Sequence, residues 1–385
     1  MVTGSRQVGK STLLEHLFPQ VPLLSFDDMN LRIAAREDPA GFLQMNQPPL
    51  VLDEIQHAPE LFPQIKLDVD RSKKKGQFYL PGSQSYRLMK QVTESLAGRV
   101  GIMQLHGLSL REIQGIDFRE PFFPTDDYLS ERRDSLIPLS IGQYWELIHR
   151  GSKPELTAHP SMDWAEFYSD YVTAYIERDV RDVTQVGDTR QFRQFMTALA
   201  AMTGQLLNLS SLARDISMSV PTMKRWLSIL ESSGHIYLLQ PYGNNLIKRT
   251  VKTPKVYFLD TGLAAYLTRW DTPQSLSHGA MSGHYFETFV VAEVLKSYHN
   301  AGIEPALYFL RDHSGKEIDL LFFQNETLYP FEIKQTASPD RRLTKTFDVI
   351  ESTPGVKRGP GGVICLAENL LPFGGDDRAI PLAYL

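Results

Sequence analysis

The sequence predicts an α/β protein with three parts: an N-terminal phosphate-loop nucleotide-binding domain, a helical and winged-helix middle, and a second α/β domain at the C-terminus. Three observations carry this. Gly4-Ser5-Arg6-Gln7-Val8-Gly9-Lys10-Ser11 fits the pattern G-x-x-x-x-G-K-[ST]. Leu50-Val51-Leu52 is an apolar run closing on Asp53-Glu54, as expected of a parallel strand buried on both faces. From Ser210 to Phe258 the chain reads helix, turn, helix, strand pair, followed by strands that carry Asp319, Glu332 and Lys334.

Size and composition bound the rest. A chain of 385 residues has room for two or three domains, and 42% hydrophobic with 22% charged residues describes an ordinary soluble protein. The net charge of -5 argues against a whole-molecule electrostatic grip on nucleic acid and leaves room for a local basic patch. One cysteine, Cys365 in the apolar run Gly362 to Leu366, excludes a disulfide framework and suits a reducing cytoplasm. There is no charged-then-apolar leader and no apolar run of about eighteen residues, so no membrane span is expected.

In the first domain, assigned to residues 1–118, the phosphate loop lies between a strand end at Val2 and a helix that begins near Thr12. Backbone amides of residues 5–11, at a helix N-terminus, can curl around a polyphosphate. Lys10 would reach the β and γ phosphates of ATP, and Ser11 would hold Mg2+. Only Met1, Val2 and Thr3 precede Gly4, so the first strand is expected to be short or missing, as a start upstream of Met1 would explain. Asp53 is placed to support Mg2+ through water, and Glu54 to polarise the attacking water. Gly76 to Ser85 reads as a strand ending in a polar turn, where Ser83 or Gln84 contacts the γ phosphate or simply caps a helix. Arg99 is either a phosphate-sensing or subunit-bridging arginine or a surface residue. Arg71 and Lys73-Lys74-Lys75 form a basic cluster, a solvated loop or a nucleic-acid contact.

Residues 119–190 read as a helical linker region. Within it, Gly151 to Pro160 is a linker, and Trp164 to Val183 is a helix whose Trp164, Phe167, Tyr168, Tyr171, Val172 and Tyr175 face a core. Arg178 and Arg181 lie on a charged face that is solvated, or that meets nucleotide or another protomer. Residues 191–258 read as winged-helix-like, with Ser219 as a cap and Pro221 in the first turn of the second helix. Thr222, Lys224 and Arg225 would face a DNA major groove, and Lys248, Arg249, Lys252 and Lys255 would contact phosphates from the wing. The rival reading is a structural module packed on the ATPase.

Residues 259–385 form the last domain. Asp271 to Ser282 reads as a loop, and a long helix from Gly283 through Tyr298 carries Glu287. Glu332 and Lys334 share one strand face because residues two apart in a strand point the same way. A neighbouring strand can bring Asp319 beside them, and such a carboxylate pair with a lysine suits a metal-dependent phosphodiesterase.

These stretches resemble a known family. The loop Gly4 to Ser11, Leu50 to Gln56, Gly82-Ser83 and Ser95-Leu96-Ala97-Gly98-Arg99 resemble prokaryotic AAA-type ATPases of the AAA_14 family. Tyr175 to Val180, Lys255 to Leu263, Gly315 to Leu320 and Glu332-Ile333-Lys334 resemble the DUF4143 domain fused to them. The resemblance implies an AAA-like ATP-binding core, a winged helix and a restriction-endonuclease-like C-terminal domain. It assigns Lys10, Ser11, Asp53 and Glu54 to ATP, and Glu287, Asp319, Glu332 and Lys334 to a nuclease-like site. Pro81 departs from the threonine usual there; proline has no N–H to donate and alters the strand end that presents Ser83. The expectation is a Mg-dependent ATPase whose nucleotide state controls a DNA-directed or partner-directed C-terminal module, alone or as a homo-oligomer. The alternatives are an ATP-gated DNA nuclease and a non-catalytic regulatory protein.

Overall fold

The structure, a computed structural model, describes residues 1–82, 92, 94–176, 189–243, 252–312, 315–351 and 355–385. Ser83, Gln84, Arg178, Arg181, Lys248 and Arg249 lie outside the described residues.

Five short strands build the N-terminal sheet: β1 (Val2–Thr3), β2 (Leu23–Ser25), β3 (Leu50–Asp53), β4 (Phe78–Tyr79) and β5 (Met103–Gln104). β2, β3 and β4 pair in parallel, β1 pairs in parallel with β5, and a bridge from Val2 to Pro81 joins the two groups. The strand that feeds the phosphate loop is therefore central. It is short, as expected, yet it is present and bonded on both sides. Val2 N–H donates to Leu80 O at 3.0 Å and Gly82 N–H to Val2 O at 3.1 Å on one side. On the other, Met103 N–H donates to Met1 O at 2.9 Å and Leu105 N–H to Thr3 O at 2.7 Å. Pro81 does not weaken this pairing, because the bridge bonds run through the N–H and C=O of Val2 to the residues flanking Pro81. Phe26, Phe42, Leu50, Leu52, Ile55, Leu61, Phe62 and Ile65 close a core of their own around this sheet.

The other two parts share one core. β6 (Gln205–Leu206), β7 (Ile236–Pro241) and β8 (Lys255–Phe258) follow the order β7-β8-β6, all antiparallel. β9 (Leu307–Arg311), β10 (Glu317–Gln324) and β11 (Thr327–Lys334) are an antiparallel meander. β12 (Lys357–Arg358) and β13 (Gly362–Cys365) run parallel to β11, β15 (Asp377–Pro381) runs parallel to β13, and β14 (Leu371–Gly374) closes the edge. β7 pairs in parallel with β9 through Gln240 and Pro241, so all these strands form a single ten-stranded sheet across residue 258. The helix Ser282–Asn300 lies against it and is buried on nearly every side, from Tyr285 and Phe286 to Val294 and Leu295.

Local chemistry explains the helix boundaries. Asn208 caps Leu209–Asp215 and Ser219 caps Val220–Ser232, each accepting a backbone N–H, with Pro221 in the first turn as expected. The expected loop from Asp271 to Ser282 instead holds the helix Pro273–His278. Thr272 and Ser275 form its capping box, with Pro273 in the first turn. The expected linker from Gly151 likewise contains a short helix, Pro154–Ala158.

Candidate functional site

The phosphate loop makes the turn that its glycines permit. Gly4 has φ of 145°, and a Cβ there would lie 2.0 Å from Leu105 O. Gly9 is left-handed at φ 86° and stands at the N-cap of the helix Lys10–Leu17, so the loop meets that helix at its amide-rich end. Lys10 Nζ donates to Ser5 O at 2.8 Å and Gly4 O at 3.2 Å, folded across the loop. Arg6, Gln7 and Val8 form the crest, Val8 is buried, and Thr12 lies in the first helical turn.

β3 delivers the acids. Ser11 Oγ donates to Asp53 Oδ2 at 3.1 Å, joining the first turn of the helix Lys10–Leu17 to the end of β3. Burial and the neighbouring Glu54 push the Asp53 carboxyl above its usual range, against the opposing pull of Ser11 and Lys10. Two carboxylates side by side in a half-buried place are relieved by an added cation. Glu54 turns into the left-handed region at φ 53°, an uncommon conformation for glutamate, and accepts a hydrogen bond from Gln56 Nε2. Among the described residues no group of three or more His, Cys, Asp or Glu side chains is disposed to hold a metal. Mg2+ at a phosphate loop needs no such group, since one or two protein oxygens plus the phosphates suffice, and Ser11 with Asp53 fits that donor set.

Arg99 does not join the loop. Its guanidinium pairs with Asp70 at the surface, Nε to Oδ1 at 2.5 Å and Nη2 to Oδ2 at 3.0 Å. A cavity of about 1250 Å3 lies beside the helix Lys10–Leu17, lined by Leu13, Leu17, Lys73, Lys75, Arg99 and Met103 among others, with no residue of the loop in its wall.

The C-terminal acids do converge. Asp319 on β10 accepts from Lys334 Nζ at 2.7 Å and from Ile333 N–H at 2.9 Å, and Lys334 lies 2.8 Å from Glu332. Sequence reasoning missed the residue at the centre. The sequence reading puts Lys255 on the wing or its flank as a phosphate contact, yet β8 buries it among these acids. Its Nζ is 2.8 Å from Glu287, 2.5 Å from Glu317 and 3.8 Å from Asp319. The signal was the alternation Lys255, Tyr257 on one strand face, since Tyr257 OH also donates to Glu287 at 2.6 Å. Burial and the Asp319 charge push Glu332 up, and burial raises Glu287 despite Lys255. Burial works against the Asp319 charge too, but Lys255 and Lys334 hold that carboxyl below its usual range. Two ammonium groups therefore lie between carboxylates where a shared metal would have to sit.

A phosphate loop on the central strand of a parallel sheet, with a serine and a strand-end acid in contact, defines the N-terminal unit as a nucleotide-binding domain of the P-loop class. Comparison with known proteins agrees. Residues 1–114 match the AAA_14 family, an AAA domain. Residues 282–385 match DUF4143 and residues 141–274 match DUF8612, both described as domains of unknown function. The uncharacterized protein Rv2008c of Mycobacterium tuberculosis is 31% identical over 341 residues, 88% of this chain and 70% of its own length. Mb2031c of Mycobacterium bovis, also an uncharacterized protein, matches to the same extent. The chain belongs to this prokaryotic family of AAA_14 domains fused to DUF4143. Its AAA domain points to nucleotide binding and ATPase activity. Among the described residues no helix is long and apolar enough to cross a membrane.

Proposed function

We propose that this protein binds Mg-ATP at residues 4–12 and hydrolyses it, and that the nucleotide state sets the behaviour of a C-terminal module directed at DNA or a protein partner. The Ser11–Asp53 contact of 3.1 Å carries the reading, because it joins loop and acid in one site. Lys10 holds the phosphates, Ser11 and Asp53 hold Mg2+, and Glu54 orients water once Gln56 releases it. Mg2+ supplies charge neutralisation on the phosphate oxygens. Ser83 is kept as a γ-phosphate contact, and Arg99 as a residue that acts across a homo-oligomer rather than in its own loop.

The helix pair Leu209–Asp215 and Val220–Ser232, followed by β7 and β8, supports a winged-helix reading of residues 191–258. The cluster of Glu287, Asp319, Glu332 and Lys334 supports a restriction-endonuclease-like reading of residues 259–385, packed on 119–190 through a common core. A metal-dependent nuclease is the second reading, favoured by Asp319 and Glu332 sharing Lys334. It requires Lys255 to withdraw before metal can enter, so the ATPase reading stands first.

ATP turnover with and without DNA tests the proposal. Wild type turns over ATP, and Glu54→Gln retains binding but loses about 100-fold or more in rate. Equal rates in wild type, Lys10→Ala and Glu54→Gln would leave a non-catalytic regulatory protein. DNA cleavage in Mg2+ or Mn2+ that survives Lys10→Ala and dies with Asp319→Ala would establish the nuclease instead.

A further inference from the structure

The phosphate loop is gripped from outside its own domain. Lys153, which precedes the helix Pro154–Ala158, is 2% exposed. Its Nζ donates to Arg6 O at 2.8 Å, to Ser5 Oγ at 3.2 Å and to Tyr171 OH at 2.9 Å, and it lies 4.2 Å from the centre of the Tyr171 ring. The Tyr171 hydroxyl is also 3.3 Å from Arg6 O and 3.1 Å from His235 Nε2. His235 Nδ1 in turn is 2.6 Å from Ser233 Oγ. His235 stands between the helix Val220–Ser232 and β7. An unbroken run of polar contacts therefore joins the crest of the loop to the second helix of the helix-turn-helix unit.

An ammonium group is an expensive choice for a filler. Burial pulls the Lys153 pKa down to about 7, with Lys10 adding to the effect and Asp260 opposing it. A methionine of similar length would occupy the space without that desolvation. What it would not supply is directed hydrogen bonds to Ser5 and Arg6, the two residues that follow Gly4. Both acceptors belong to the loop itself, so Lys153 holds the loop's shape through its own atoms. His235 is kept neutral, its pKa pushed to about 3 by burial and by Lys153, Arg6 and Lys10, so it relays by hydrogen bonding rather than by charge.

Resting on the nucleotide-site reading above, we infer that Lys153 is a positioning residue of the phosphate loop and that, through Tyr171 and His235, it couples the nucleotide state of the loop to the helix-turn-helix unit. A shift of the loop by about 1 Å stretches the contacts to Ser5 and Arg6 past hydrogen-bond length. The same shift reorients the Tyr171 hydroxyl, which then strengthens or releases its bond to His235. Filled and empty loops thereby present different partners to the start of β7.

Hydrogen exchange on the full chain, with and without Mg-ATP, tests this. In wild type, nucleotide changes exchange across residues 233–241, far from the phosphates in sequence. Tyr171→Phe keeps the ring and removes the hydroxyl. It should bind Mg-ATP within about threefold of wild type and lose the change at 233–241. Lys153→Met should weaken binding about tenfold or more. A change at 233–241 that persists in Tyr171→Phe overturns the coupling, as does wild type that binds Mg-ATP with no change there. Should Lys153→Met fail to fold, Tyr171→Phe alone decides. Wild type that binds no nucleotide, matching Lys10→Ala, brings down the nucleotide-site reading itself and the coupling with it.

Discussion

Ser11 Oγ and Asp53 Oδ2 lie 3.1 Å apart, one at the first turn of a helix and the other at the end of a strand. The contact sets a hydroxyl beside a carboxylate, the pair to which the proposed Mg2+ site is assigned. Asp53→Asn should leave nucleotide binding in EDTA near the wild-type value and abolish the gain in affinity that Mg2+ gives, a loss of about tenfold. Fluorescent-nucleotide titration with and without Mg2+ measures it. An undiminished Mg2+ effect would remove Asp53 from the metal site.

Gly4 and Gly9 both have positive φ, but their surroundings differ. A Cβ on Gly4 meets the Leu105 carbonyl, whereas one on Gly9 meets open space. Gly9→Ala should cost only the left-handed strain, about 1 to 2 kcal/mol. Gly4→Ala must also push β5 away from β1, so its thermal midpoint should fall further. Equal midpoints for the two variants would mean that the loop relaxes freely at Leu105.

Lys255 is the ammonium that Glu287, Glu317 and Asp319 face. Lys255→Met strands buried carboxylates and should destabilise the protein by about 3 kcal/mol. Adding Glu287→Gln should return about 1 kcal/mol or more, since the two sites interact directly. Denaturant unfolding of the four species in the cycle gives the coupling. Strict additivity would show that Lys255 and Glu287 ignore one another in solution.

Lys153 also sets a pH dependence. Its folded pKa of about 7 lies below the ordinary lysine value of 10.5, so between these values the unfolded chain binds the extra proton. Stability therefore rises with pH across that window, and the penalty is complete below its lower edge. Against Lys153→Met, wild type should gain up to about 1.4 kcal/mol per pH unit between pH 7.5 and 9.5. Parallel stability curves for the two proteins would contradict a desolvated ammonium.

What the sequence made legible was local. The loop, the acid-terminated strand, the cap at Ser219 and the strand face of Glu332 and Lys334 all follow from residues adjacent in the chain. The long-range pairings did not. Nothing near Lys153 says that it meets Ser5, and nothing near Gln240 says that β7 will lie beside β9. Lys255 looked like a wing cation because lysines default to solvent, and only the fold supplies the three acids that justify burying it. The helix Pro273–His278 was legible in principle, since Thr272-Pro273 is a start signal overlooked in a polar stretch.

The ten-stranded sheet has a mechanical consequence. The β7–β9 ladder ties residues 205–258 to the DUF4143 region in one sheet, so a displacement of one strains the backbone hydrogen bonds of the other. The AAA unit meets that body at His106 against His299 and at Leu108 and Leu110 against Lys296 and Glu293, besides the grip of Lys153 on the loop. Any movement that the proposed nucleotide cycle starts in the AAA unit therefore meets the larger body along this seam.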